Sequence, residues 1–281
     1  MLRLKMNLSK WIFLVNLSCI FCSIIACGND SSSGANQNDV DERLNSSSSS
    51  SFEPPVKPCK TKTKDECEYG TLKDERDGQT YRTVKIGNRW WMAENLNYEY
   101  LLSENSLDTL SSCYNDSLSY CEKYGRLYRW SAAMDSAAIF SSDGEGCGDE
   151  RLCKPKYPLR GVCPKGWSLP TTLEWNKMFV AVGGYQTAAL MLKADSGWFN
   201  GGEGLDAYGF SLLPAGFATK TAENFYTRIG DYTIFWSSIE IDKFHSSFLS
   251  FSRYDDTAWG DDHTVMNGKH ARHSVRCIKN D

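Results

Sequence analysis

Eleven cysteines stand in this 281-residue chain, and their spacing suggests what they do. Cys19 and Cys22 lie in an apolar run near the start, and Cys27 follows just beyond it. The other eight are Cys59, Cys67, Cys113, Cys121, Cys147, Cys153, Cys163 and Cys277. "CKTKTKDEC", "CYNDSLSYC" and "CGDERLC" are short polar loops with a cysteine at each end. An even set in an exported chain reads as disulfides, because an oxidising compartment preserves them. Closing each loop pairs Cys59 with Cys67, Cys113 with Cys121 and Cys147 with Cys153, and leaves Cys163 for Cys277. Spacing narrows the pairings without settling them. A zinc site would want tight C-x-x-C pairs, and these eight cysteines contain none.

Two further sets of residues have the chemistry of a binding site. "GWFNGGEGLDAYGF" (Gly197–Phe210) carries Trp198, Asn200, Asp206 and Tyr208. Sugars stack on flat aromatic faces and bond Asp and Asn through their hydroxyls. The same rings would serve equally to give a long loop its own small core. "RYDDTAWGDDHTVMNG" (Arg253–Gly268) adds Trp259, together with Asp255, Asp256, Asp261 and Asp262. Such carboxylates are hard oxygen ligands of the kind calcium takes, although a solvated acidic turn has the same composition. All four histidines, His245, His263, His270 and His273, fall near the C-terminus. The "HARH" pair would need a helix to chelate a metal, and the region reads as exposed strand and turn. No G-x-S-x-G elbow, H-E-x-x-H or phosphate loop is present, so no catalytic residue is assigned. Acidic residues are numerous, but no spacing singles out a glycosidase pair.

The elements that must position these residues begin well inside the chain. Arg3, Lys5 and Lys10 precede "WIFLVNLSCIFCSIIA", a basic start and apolar run of secretory type, too short for a membrane span. "IIAC" resembles a bacterial lipobox, with Cys27 as the lipidated residue. Residues 1–26 therefore read as a lipoprotein signal peptide. The chain has 31 Lys and Arg against 35 Asp and Glu, and losing those three basic groups takes the net charge from −4 to −7. No basic block suggests a nucleic-acid partner. Residues 27–58 read as a flexible tether, with six serines in a row at Ser46–Ser51. The Cys59–Cys67 loop (59–69) forms the domain entrance, and the domain runs over 70–281.

Within it, "QTYRTVKIG" and "RWWMAENL" read as strands joined at Gly87-Asn88, and "WSAAMDSAAIF" (Trp130–Phe140) as a helix. Thr171 and Glu174 fit a capping box ahead of a helix whose buried stripe is Trp175, Met178, Phe179 and Val182. Gly183-Gly184 ends it, and "YQTAALMLKA" forms a second helix. "FSLLPAGF", "TIFWSSIE", "SFLSFSR" and "HSVRCIK" read as short strands. Trp90, Trp91, Trp130, Trp167, Trp175 and Trp236 read as core, with their indole N–H groups satisfied locally.

Six phrases in order resemble the Fibrobacter succinogenes major paralogous domain: "DGQTYRTVKIGNRWWMAENLNY", "YGRLYRWSAAM", "GVCPKGWSLPTTLEWNKM", "SGWFNGGEGLDAYGFSLLPAGF", "FWSSIE" and "SVRCIKND". The resemblance covers about Gly70 to Asp281. It implies an α+β, C-type lectin-like fold: two helices packed on short twisted antiparallel strands with long loops, stapled by disulfides. A bond from the first helix region to the last strand is a hallmark of that fold and agrees with pairing Cys163 to Cys277. "WGDD" resembles the Trp-Asn-Asp calcium motif of C-type lectins, but Gly260 replaces the asparagine and the usual partner motif is missing. "LPTTLEW" resembles a phrase of the formylglycine-generating enzymes. Their chemistry needs free cysteines, and here each domain cysteine has a disulfide partner available. The family brings no settled activity, and fold alone licenses none. The expectation is an exported, lipid-anchored, non-catalytic surface module, held at the outer membrane or cell surface, that binds polysaccharide. A structural or protein-binding envelope component, or an enzyme acting on extracellular polysaccharide, are the alternatives. No cofactor is required, calcium being the one metal the carboxylates suggest.

Overall fold

Tyr81, Val84 and Ile86 alternate inward along the strand at Thr80–Ile86, as a half-buried strand requires. The computed structural model that shows this describes residues 55–102, 110–219, 225–260 and 268–281. Residues 1–54, with Cys27, and Asp261, Asp262 and His263 lie outside them. The strands β1 (Tyr69–Lys73), β2 (Thr80–Ile86) and β3 (Arg89–Met92) form an antiparallel meander. Gly87 and Asn88 make the two-residue turn between β2 and β3, with Gly87 at φ 61°, the left-handed conformation such a turn favours. Next come β4 (Ser111–Ser112), helix α1 (Leu118–Tyr124), β5 (Leu127–Arg129) and the single turn α2 (Trp130–Ala133). β6 (Trp167–Ser168) leads into α3 (Thr172–Ala181) and α4 (Tyr185–Leu192). Then follow β7 (Phe217–Ala218), β8 (Tyr226–Thr227), β9 (Tyr232–Glu240), β10 (Ser246–Ser252), β11 (Trp259–Gly260), β12 (Arg272–His273) and β13 (Ile278–Lys279).

The protein is α+β, with three sheets built from antiparallel strand pairs and few helices. The sheet orders are β1-β2-β3-β13-β6, β11-β10-β9 and β4-β5-β12-β7-β8. All four disulfides form as the loop spacing suggested: Cys59–Cys67, Cys113–Cys121, Cys147–Cys153 and Cys163–Cys277. The last strand, β13, lies between β3 and β6, with Ile278 opposite both Trp91 and Ser168. The Cys163–Cys277 bond therefore fastens the end of the chain beside the approach to α3.

That helix starts where the sequence places it. Glu174 N donates to Thr171 Oγ1 at 3.2 Å, and Thr171 N donates to Glu174 Oε2 at 2.8 Å, completing a capping box. A helix of ten residues is marginal alone. The buried stripe of Trp175, Met178, Phe179 and Val182 supplies what the cap cannot, roughly 1.5–3 kcal/mol per large apolar side chain.

β9 and β10 are buried along nearly their whole length, and their alternation divides two cores. Ile234, Trp236 and Phe248 face one cluster with Tyr128, Trp130 and Val275. Phe235, Leu249 and Phe251 face the other, with Trp91, Trp175, Phe179 and Phe210. Cross-strand pairing sets Phe248 against Trp236 and Leu249 against Phe235, so each pair serves a single core. Trp130 and Trp236 donate their indole N–H to the carbonyls of Ser237 and Tyr128. Trp175 Nε1 is the exception, buried with no acceptor.

Five readings need correction. "HSVRCIK" is not one strand: β12 ends at His273 and β13 takes up only Ile278–Lys279. The helix expected over Trp130–Phe140 stops after α2, because Asp135 turns the chain. Asp135 sits at φ 56°, its carboxylate accepts the N–H groups of Ile139, Phe140 and Ser141, and Ala138 is also left-handed. "FSLLPAGF" is not a continuous strand; it touches neighbours only at single bridges from Leu212 and Gly216 before β7. His273 lies on a strand but is buried, with Trp236 at 4.0 Å and Phe217 and Phe248 beyond. The folded chain also begins before Gly70. Val56 N donates to Ala181 O, Cys59 N to Ala207 O, and Val56 and Cys59 pack on the second core.

Candidate functional site

A polar cleft of about 430 Å³ opens where Lys60, from the leading segment, meets five others. They are the start of β2, the stretch after β3, the end of α1, the Gly197–Phe210 loop with its flanks, and the residue before Cys277. Gly125 allows that approach, since a Cβ there would stand 2.7 Å from Asn95 Cβ. Asn95 is buried and central. Its Nδ2 donates to Tyr124 O at 2.8 Å, and its Oδ1 accepts from Arg276 Nε at 2.7 Å.

Arg276 lies at the base, with only 2% of its surface exposed. Its other bonds go to neutral backbone acceptors, Phe210 O and Ser211 O. Burial, reinforced by the like charge of Arg82, pushes its pKa down to about 9 against the pull of Asp206 and Glu94. An arginine so placed remains cationic at neutral pH. Arg82, exposed on β2, donates from Nη2 to Ser211 Oγ at 3.0 Å. Ser211 N and Oγ donate in turn to the buried Asp206, and Lys60 Nζ lies 2.5 Å from the same carboxylate. Asp206 and Ser211 both have positive φ, 45° and 53°, a strained conformation that this bonding holds.

The aromatic candidates divide. Trp198 and Tyr208 are core residues. Trp198 donates its indole N–H to Leu212 O at 2.9 Å, and Tyr208 OH donates to Val56 O at 2.8 Å. Their faces pack the loop and the leading segment and do not meet solvent. Asp206 belongs to the cleft. Asn200 is exposed in a one-turn 3-10 helix (Phe199–Gly201).

Trp259 is 54% exposed at the start of β11, opposite Ser250 in the β10–β11 hairpin, and its Nε1 donates to Asp255 Oδ2 at 3.0 Å. On the same hairpin Tyr254, 58% exposed, was not singled out in the sequence. Arg253 lies 4.1 Å above its ring, and Arg253 Nε is 2.5 Å from Asp231 Oδ1, an ion pair and not an aligned hydrogen bond. The Phe199–Gly201 turn adjoins this hairpin: a Cβ on Gly202 would stand 2.2 Å from Arg253 Cβ, and Phe199 is itself exposed. An edge thus forms from exposed rings braced by charged groups. The sequence offered Asn200 and Trp259 in two separate loops; the approach of Gly202 to Arg253 is what brings the Phe199–Gly201 turn to this hairpin.

The acidic set does not assemble as a calcium cage among the described residues. Asp255 accepts from Thr257 N at 2.7 Å and from Trp259. The Thr257 N–H chiefly holds its carboxyl below the usual range, with partial burial opposing and the Thr257 hydroxyl and Trp259 assisting. Asp256 uses its carbonyl to accept from Ala189 N and lies 4.0 Å from Lys193 Nζ. No group of three or more His, Cys, Asp or Glu side chains is placed to hold a metal among the described residues. His245 Nδ1 pairs with Asp242, and His270 is exposed. All eight cysteines of residues 55–281 are bonded, so no thiol among the described residues is free for chemistry of the formylglycine-generating kind. No helix among the described residues is long and apolar enough to cross a membrane.

The family model described as the Fibrobacter succinogenes major domain matches residues 84–279. No curated protein and no solved structure matches the chain.

Proposed function

The chain belongs to the Fibrobacter succinogenes major domain family, and we propose, from its own sequence and exposed aromatic residues, that it is an exported, lipid-anchored surface module that binds polysaccharide without catalysis. The finer architecture we assign is C-type lectin-like, supported by the antiparallel strands and the bond from the approach of α3 to the last strand. The basic start, the apolar run and "IIAC" support a lipid on Cys27 and a place at the outer membrane or cell surface.

One observation carries the binding reading: the Trp259 and Tyr254 rings stand in solvent while their polar atoms or faces are braced by Asp255 and Arg253. A soluble domain gains nothing in stability from exposing such rings, and braced aromatics bind with little loss of side-chain entropy. The flanking Asp231, Arg253 and Asp255 offer both donors and acceptors to hydroxyl groups. The test is retention of the purified protein on cellulose, xylan and other plant glycans, paired with assays for product release. Retention without turnover supports the reading. Failure to bind any glycan sinks it, and release of sugar would make the protein an enzyme.

A further inference from the structure

The cleft is separate from the aromatic edge and has its own electrostatics. Arg276 is a buried cation whose bonds all end on neutral oxygens, from Asn95, Phe210 and Ser211. They leave N–H capacity on both Nη1 and Nη2 unused. Arg82 is tied to the same Ser211. Neither guanidinium has a carboxylate within ion-pair distance among the described residues. The Phe210 and Phe235 rings, 4.5 and 5.6 Å from the Arg276 guanidinium, offset part of its burial, but a buried charge without a carboxylate is costly, and two like charges drawn to one serine add to the cost. The buried acid nearby, Asp206, is already matched by Lys60 and Ser211. What the base lacks is an anion.

We propose that the cleft binds a uronate sugar, its carboxylate on Arg276 and Arg82 and its hydroxyls on the polar rim. A planar carboxylate suits guanidinium forks and carries a single charge. The rim argues against phosphate or sulfate esters of higher charge density, because Glu94, Glu122 and Asp195 stand exposed around it and Lys123 offsets only one of them. Among the other lining groups, Gln79, Asn97 and Ser196 supply the mixture of donors and acceptors that sugar hydroxyls require. The buried Oδ1 of Asn97 has no donor. The volume, about 430 Å³, suits a small ligand of one or two rings.

The test is titration of the intact protein with glucuronate, galacturonate and their short oligomers, against glucose, galactose, acetate and sulfate. Arginine Nε–H resonances are followed by NMR. The expected result is uronate affinity at least about tenfold above that of the neutral sugar, with the Arg82 and Arg276 signals shifting together. Arg82→Ala, an exposed substitution, should abolish the gain and leave the melting temperature unchanged. Arg276→Lys, which keeps the charge but loses the fork, should weaken binding with the fold checked by circular dichroism. Equal binding of uronate and neutral sugar overturns the proposal. So does an Arg82→Ala variant that binds as before, or acetate or sulfate binding as tightly as uronate. Because the readout sits on the cleft arginines, it is independent of whether polymer is retained at the aromatic edge.

Discussion

Cys163 and Cys277 are bonded across 114 residues of chain, with their Cα atoms 5.9 Å apart, where β13 slots between β3 and β6. Of the four bridges it closes much the longest loop, so it restricts the unfolded chain most. Replacing both cysteines by alanine should cost about 2–5 kcal/mol in denaturant unfolding. The same change at Cys147 and Cys153, only six residues apart, should cost less. Equal losses would refute a ranking by loop length.

The cap of α3 gives a second measurement. Thr171→Ala removes the oxygen that accepts from Glu174 N and should cost about 1 kcal/mol. Glu174→Ala removes the reciprocal bond to Thr171 N. Because the two bonds form one unit, the double variant should lose less than the sum of the singles. Strict additivity would show that the reciprocal geometry contributes nothing.

Lys269 is fully buried, lies 4.6 Å from the Trp130 ring, and bonds both the Glu240 carboxylate and Arg151 O. Glu240 also accepts from Cys153 N at 3.1 Å. Lys269→Met leaves a largely buried carboxylate without its cation and should cost about 3–5 kcal/mol. Pairing it with Glu240→Gln should recover part of that loss. Hydrogen exchange should rise first in the Cys147–Cys153 loop, whose backbone these two residues hold.

At the aromatic edge, Trp259→Ala and Tyr254→Ala should each lower retention on the bound glycan by on the order of tenfold, with melting temperature nearly unchanged. A variant that melts much earlier would mark the ring as structural.

Acid should release the same edge. Asp255 has a folded pKa below its unfolded value of about 4, so its bonds to Thr257 and Trp259 contribute fully above that value. They are lost as pH falls through the lower, folded pKa. Trp259 fluorescence should therefore hold steady from neutral pH down to about 4 and change only below it. Asp255→Asn should flatten that change. A transition near neutrality in the parent protein would contradict the assignment.

How much of this was legible in the sequence follows from the range of the interactions. The capping box, the three short disulfide loops and the β2–β3 turn depend on residues within a few positions of one another, and they read directly. Trp130–Phe140 has helical spacing, but the Asp135 carboxylate captures three downstream N–H groups and ends the helix after one turn. Trp198 and Tyr208 look like a binding surface until Leu212 and Val56 take their polar atoms. The cleft left no local trace, because Lys60, Arg82, Asn95, Asp206 and Arg276 come from distant parts of the chain. The one signal available was an arginine, Arg276, between Val275 and Cys277 in the apolar run "SVRCI" that leads into β13.

The leading segment has a mechanical consequence. Val56 is held by Ala181 and Tyr208, and Lys60 by Asp206 at the cleft wall. Cys59–Cys67 closes the loop that carries Lys60. A pull entering at residue 55 would meet the Val56 bonds first and then cross from Cys59 to Cys67 through the disulfide, leaving the Lys60–Asp206 pair outside the main line of force. The bridge would thus insulate the carboxylate that steadies Ser211 from tension applied ahead of it.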